Sequence, residues 1–252
     1  QLFANPQTLR NEILNLAVSC GLDSPCYGKM LDYTIKLFET QGLGKEYYGY
    51  HNITHELEVT YVTLVVLKWK SILNNIKEED FKYLYAAALF HDFDPQKSVD
   101  KPHEDNVIRF LTQDPNLQQL LQDANLDINI IMALILRTTY PWRGELKEHA
   151  EEQITKCFEC SPITKDSPEM RDYYMRLGWL LSVIDRVGGY ALGDFAKAMD
   201  MAKKNAHALA WHPSFIVKRS VGYFEDLLNS ESEMCETVLH ALPKNMRKNF
   251  ME

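Results

Sequence analysis

Apolar residues recur along this chain at intervals of three and four. Leu9, Ile13, Leu16 and Ala17 trace one face of an opening helix, and Met30, Tyr33, Ile35, Leu37 and Phe38 trace a second. That spacing is the period of a helix with one buried side. Gly42-Leu43-Gly44 is expected to end the second helix, because glycine readily takes the backbone geometry of a helix C-terminus. A long helix is expected over about 51 to 73, and an apolar one over about 78 to 90 that stops at His91-Asp92. The run from Val62 to Leu67 holds β-branched residues that favour strands, yet it lies inside a continuous pattern without turn residues, so helix is expected there too. The stretch from Asp94 to Pro102 contains two prolines and little apolar content, and reads as a loop. Further helices are expected at roughly 103 to 113, 127 to 138, 145 to 160, 169 to 187, 193 to 210, 213 to 229 and 231 to 241. No alternating strand series, internal repeat, low-complexity tract or linker interrupts them. The expectation is one all-α helical bundle of about ten helices, spanning 1–252 as a single domain.

Composition fits that picture and narrows the partners. The 252 residues are 46% hydrophobic and 25% charged, enough to bury a substantial core. A net charge of -8 opposes broad attraction to nucleic acid polymers or anionic membranes, while leaving room for a local basic pocket that takes a small phosphate ester. The longest apolar runs, such as Ile128 to Leu136, are too short to span a bilayer. Nothing resembles a signal peptide, and the start at Gln1 rather than Met points to residues, or a whole domain, upstream. Five cysteines, at 20, 26, 157, 160 and 235, form an odd, sparse set that reads as reduced thiols of a cytoplasmic protein. Cys157 and Cys160 have the spacing of half a zinc site, but Cys20 and Cys26 are poorly spaced for the other half.

Three segments carry candidate chemistry. In Tyr50-His51-Asn52-Ile53-Thr54-His55 two histidines four apart would share a helix face, a spacing also common among surface histidines. Glu56 follows the second histidine, so the pattern is not that of the zinc proteases. Thirty-six residues beyond His55, the apolar run Ala86 to Phe90 ends in adjacent imidazole and carboxylate groups, His91 and Asp92. Burying both without partners is expensive, and a divalent cation would compensate them; the plainer alternative is a pair capping a helix end. In Leu180 to Arg186, Asp185 again closes an apolar run, and by itself would suit an ion pair with Arg186.

Taken together, a His, then His-Asp, then a distant Asp, each on a helix, resembles the HD superfamily of metal-dependent phosphohydrolases. Tyr50, His51, Asn52, His55 and Val59, followed by Ala87, Leu89, His91, Asp92 and Asp94, are similar to signatures of its cyclic-nucleotide phosphodiesterase branch. The likeness covers about residues 45 to 190, a metal-binding core with helical additions at both ends. Glu56 and Glu58 stand where that signature has Ala and Asp, Pro95-Gln96-Lys97 replaces its His-Pro-Gly, and no glutamine follows Gln153 to grip a base.

The resemblance implies that His55, His91, Asp92 and Asp185 bind one divalent ion, with Asp92 also touching a second. The donor types suit Mn, Fe, Zn, Mg or Co. It implies hydrolysis of a nucleotide, cyclic or otherwise, or a similar small phosphate ester by a metal-activated hydroxide, with His51 as a cationic general acid. Two alternatives use the same metal residues: a nucleotidase or pyrophosphohydrolase that does not need His51, and a metal-stabilised regulatory domain without turnover. His103 is a candidate ligand of a second metal, and Arg137 and Arg186 are the best candidates for phosphate contacts, ahead of Lys97 and Lys101. His149 lies in a charged, solvated run, and His207, His212 and His240 read as structural. An upstream domain or a homo-oligomer is the remaining expected partner.

Overall fold

Three segments of this chain are apolar nearly all round rather than on one stripe, and such helices have to be enclosed by others. They become the centre of the molecule. The computed structural model describes residues 6–41, 51–69, 76–95, 103–192, 203 and 212–251. Among these it contains twelve α-helices and no strand. They are α1 (Pro6–Ser19), α2 (Pro25–Thr40), α3 (Ile53–Lys68), α4 (Phe81–Phe90), α5 (Glu104–Gln113), α6 (Pro115–Asp123), α7 (Ile128–Leu136), α8 (Gly144–Cys160), α9 (Pro168–Ala191), α10 (Pro213–Ser230), α11 (Ser232–Ala241) and α12 (Lys244–Met251). The all-α bundle expected from the periodicity is what forms.

Helices α3, α4 and α7 are the enclosed ones. Leu57, Val62, Leu64, Leu84, Tyr85, Leu89, Ile130 and Leu134 are all fully buried. The β-branched run of α3 is helical because burial on every side outweighs its modest strand preference. Its buried threonines are satisfied locally: the Thr60 and Thr63 hydroxyls donate to the carbonyls of Glu56 and Val59, each at 2.8 Å. Helix α3 packs against α1, α4 and α9; α4 also meets α7 and α9; and α7 rests on α8 and α9. One continuous apolar core runs through all of them. Among the described residues no helix is long and apolar enough to cross a membrane.

Several boundaries differ from expectation. Helix α3 begins at Ile53, because Asn52 adopts extended backbone and caps it, its side chain accepting from the amides of Thr54 and His55 at 2.9 and 3.2 Å. His51 therefore precedes the helix instead of lying in it. A short 3-10 turn, Glu78–Asp80, leads into α4. Helix α9 continues through Gly188 and Gly189 to Ala191; a Cβ on Gly188 would make ordinary contact with Val62 of α3 at 3.7 Å, so this glycine faces α3 within the helix. Helices α6 and α12 were not anticipated. The Gly42–Gly44 stop, the helix expected over 193–210 and most of the 94–102 loop lie outside the described residues. All five cysteines are free thiols; Cys160 is exposed and the other four are buried.

Candidate metal centre

The three central packing contacts bring three helix segments to one point. Asn52 starts α3 so that His55 falls in its first turn, on the side facing α4 and α9. Helix α4 ends at Phe90, placing His91 at its C-cap and Asp92 one residue beyond. Asp185 lies well inside α9, which fixes its direction.

The donor atoms converge. His55 Nε2 is 3.0 Å from Asp185 Oδ1 and 3.2 Å from Asp92 Oδ2. His91 Nε2 is 3.5 Å from Asp92 Oδ2 and 3.6 Å from Asp185 Oδ1. The four ligand atoms all lie within 4.8 Å of one another. Ligands bound at about 2.1 Å around one ion are separated by roughly 3 to 4 Å, so these spacings already approximate a coordination shell. His55 and His91 are sealed from solvent, whereas the Asp92 and Asp185 side chains keep 17% and 22% of their surface, giving the cluster one open side.

Charge argues the same way. Among the described residues, Asp92 and Asp185 have no Lys or Arg within ion-pair distance; their cationic partners are histidines. Burial works against a charged His55, but hydrogen bonding and attraction from Asp185 and Asp92 outweigh it and raise the imidazole to about 10. His91 rises well above its ordinary value, burial being overcome chiefly by Glu56 and Asp92. Burial acts to raise both carboxylic acids, yet the neighbouring imidazoles hold Asp92 down to about 2 and Asp185 well below the usual range. Two carboxylates that demand positive charge, facing two imidazole nitrogens, could hold a divalent metal ion.

His51 stands beside the cluster without joining it. Its Nε2 is 3.9 Å from Asp92 Oδ2, its ring meets His55 edge-on at 5.8 Å, and its side chain is 24% exposed, the most open of the group. Burial pushes its pKa below the ordinary value, with Asp92 pulling the other way.

The other candidates are not gathered there. The His103 amide donates to Asp94 Oδ2 at 3.1 Å, and Asn106 Nδ2 donates to the same oxygen at 3.0 Å, so Asp94 anchors the start of α5. Arg137, buried at the end of α7, lies flat on the Trp142 ring at 3.9 Å. Arg186 pairs with Glu231 Oε1 at 2.6 Å, while the Trp179 indole donates to Glu231 Oε2 at 2.6 Å. Among the described residues none of these three side chains makes a hydrogen bond or ion pair with the four donors; Arg186 is held by Glu231, while Arg137 Nη1 is buried with no hydrogen-bond partner among them. His149 pairs with Asp105 at 3.0 Å, and His240 bonds the Glu236 carbonyl in its own helix. Lys97, Lys101 and His207 lie outside the described residues.

Sequence reasoning passed over Asn52 as the cap that aims His55, and over Glu56. The latter is fully buried, 3.4 Å from His91 Nδ1, and its only visible signal was a charged residue in the middle of a metal motif. Compared with protein-family models, curated proteins and solved structures, the chain matches none.

Proposed function

We propose that this protein is a metal-dependent phosphohydrolase acting on a small phosphate ester, with nucleotides as the leading substrate class. The observation that carries the reading is the meeting of His55, His91, Asp92 and Asp185 with one side open to solvent. Order and spacing of these residues are those that resemble the HD phosphohydrolases, and the net charge of -8 fits a small ligand better than a polyanion. A divalent cation at this cluster would supply Lewis acidity, lowering the pKa of coordinated water and offsetting phosphoryl charge. The chain's own residues do the rest. The two imidazoles and two carboxylates would hold the cation between α3, α4 and α9. Asp92, at the open side, has a second oxygen, Oδ1, that makes no ion pair among the described residues and would orient water or a further cation. His51, also at the open side, would pass a proton to a leaving oxygen, its cationic form favoured against burial by Asp92 and by an incoming phosphate.

The test pairs metal analysis of purified protein with hydrolysis of cyclic nucleotides, mononucleotides and bis-p-nitrophenyl phosphate. Wild type is expected to retain metal through dialysis and to turn over at least one of these classes. Asp92→Ala should lose both together. A wild-type protein that binds metal tightly yet hydrolyses none of them would replace this reading with the regulatory one.

A further inference from the structure

Glu56 is an unusual choice for its position. It directly follows His55 in α3, its side chain is completely buried, and one of its oxygens, Oε2, has no hydrogen-bond partner among the described residues. A buried carboxylate that leaves an oxygen unsatisfied is a poor way to stabilise a fold, since Met or Gln fills the same space without the charge. Its contacts point elsewhere. Oε1 lies 3.4 Å from His91 Nδ1 and accepts the Asp92 amide at 3.3 Å. The Ala88 carbonyl lies 3.0 Å from the same His91 Nδ1. That nitrogen therefore faces two acceptors, while Nε2 of the same ring is turned toward Asp92 and Asp185.

We propose that Glu56 is a positioning residue for the metal, setting how tightly the ion is held; this rests on the metal reading given above. Two acceptors at Nδ1 keep its hydrogen there, which leaves the Nε2 lone pair for an ion, and a carboxylate acceptor makes the ring a stronger donor than a carbonyl alone would. The same oxygen pins the backbone of Asp92. Because Glu56 is adjacent to His55, one side chain in the first turn of α3 ties together three of the four ligands. The position that the resembling signature fills with alanine here carries the link between α3 and the end of α4.

Co(II) titrated into metal-free protein, followed by its visible absorption, tests this with two variants. Glu56→Gln preserves volume and an acceptor for the Asp92 amide; Glu56→Met removes polarity but fills the space, which guards against a variant that fails to fold. Both metal-free variants are expected to keep a cooperative melt, which shows that they fold, while Co(II) affinity falls about 10- to 100-fold and the absorption bands shift. Variants that match wild type in affinity and spectrum would overturn the role of Glu56 and leave the metal centre standing. A wild type that takes up no Co(II) would overturn the metal centre, and this role with it.

Discussion

Deprotonating His55 strips the positive partner from two carboxylates that both lie within 3.2 Å of its Nε2. In the unfolded chain that imidazole titrates near its ordinary 6.5, in the folded one at about 10. Its contribution to the stability of metal-free protein is therefore complete below about pH 6.5 and is lost as pH rises toward 10. Metal binding has the opposite slope, because the ion displaces the same proton. Thermal melts from pH 6 to 10 should show the metal-free protein weakening while added Zn or Mn confers a growing stabilisation; parallel slopes would mean that His55 does not meet the ion. Asp92 acts at the acid end, its share being present above pH 3.8 and lost as pH falls toward 2. His51 makes a separate prediction. His51→Asn should leave metal content unchanged and lower turnover by about 10²- to 10⁴-fold on poor leaving groups, with a far smaller loss on p-nitrophenyl esters. Equal losses on both would reduce His51 to a residue that holds the phosphate.

At the scale of elements, what matters is how each helix end or contact aims a functional group. Asn52→Ala removes the cap of α3 and should cost about 0.5 to 2 kcal/mol in urea unfolding, together with a measurable loss of metal affinity as His55 loosens. Gly178 marks a close approach of α9 to the end of α7: a Cβ there would sit 2.6 Å from the Cβ of Arg137. Gly178→Ala should therefore destabilise by about 1 to 3 kcal/mol, the clash exceeding the gain in helix propensity. The long, periodic helices were legible, and so was the end of α4 at His91, because an apolar run meeting two polar residues has few other outcomes. Helix α6 was not, since its apolar positions reduce to Leu117, Leu120 and Leu121 among glutamines, although Asp114 before Pro115 was a readable cap. The end of α9, expected at 187, lies at Ala191, since Gly188 and Gly189 continue the helix.

For the whole molecule, the candidate metal cluster was legible as residue types, but the partners of the basic residues were not. Whether Arg186 serves phosphate or structure depends on Glu231, forty-five residues away and invisible to local pattern. That pair and the Trp179 indole fasten α11 to the helix bearing Asp185. Glu231→Ala leaves a buried guanidinium and an indole N–H unmatched, and should cost about 3 to 5 kcal/mol in unfolding free energy. Chelation gives the complementary whole-molecule test: an ion held at this cluster would join α3, α4 and α9, so its removal should lower the melting temperature, an ion at a hundred times its Kd being worth about 2.7 kcal/mol. The thiols offer a way to watch such events region by region. Cys20, Cys26, Cys157 and Cys235 are closed off in different parts of the bundle, while Cys160 is already at the surface. A maleimide should tag Cys160 within the dead time and the remaining four only as their surroundings breathe, so the order in which adducts accumulate by mass spectrometry becomes a map of which neighbourhood opens first.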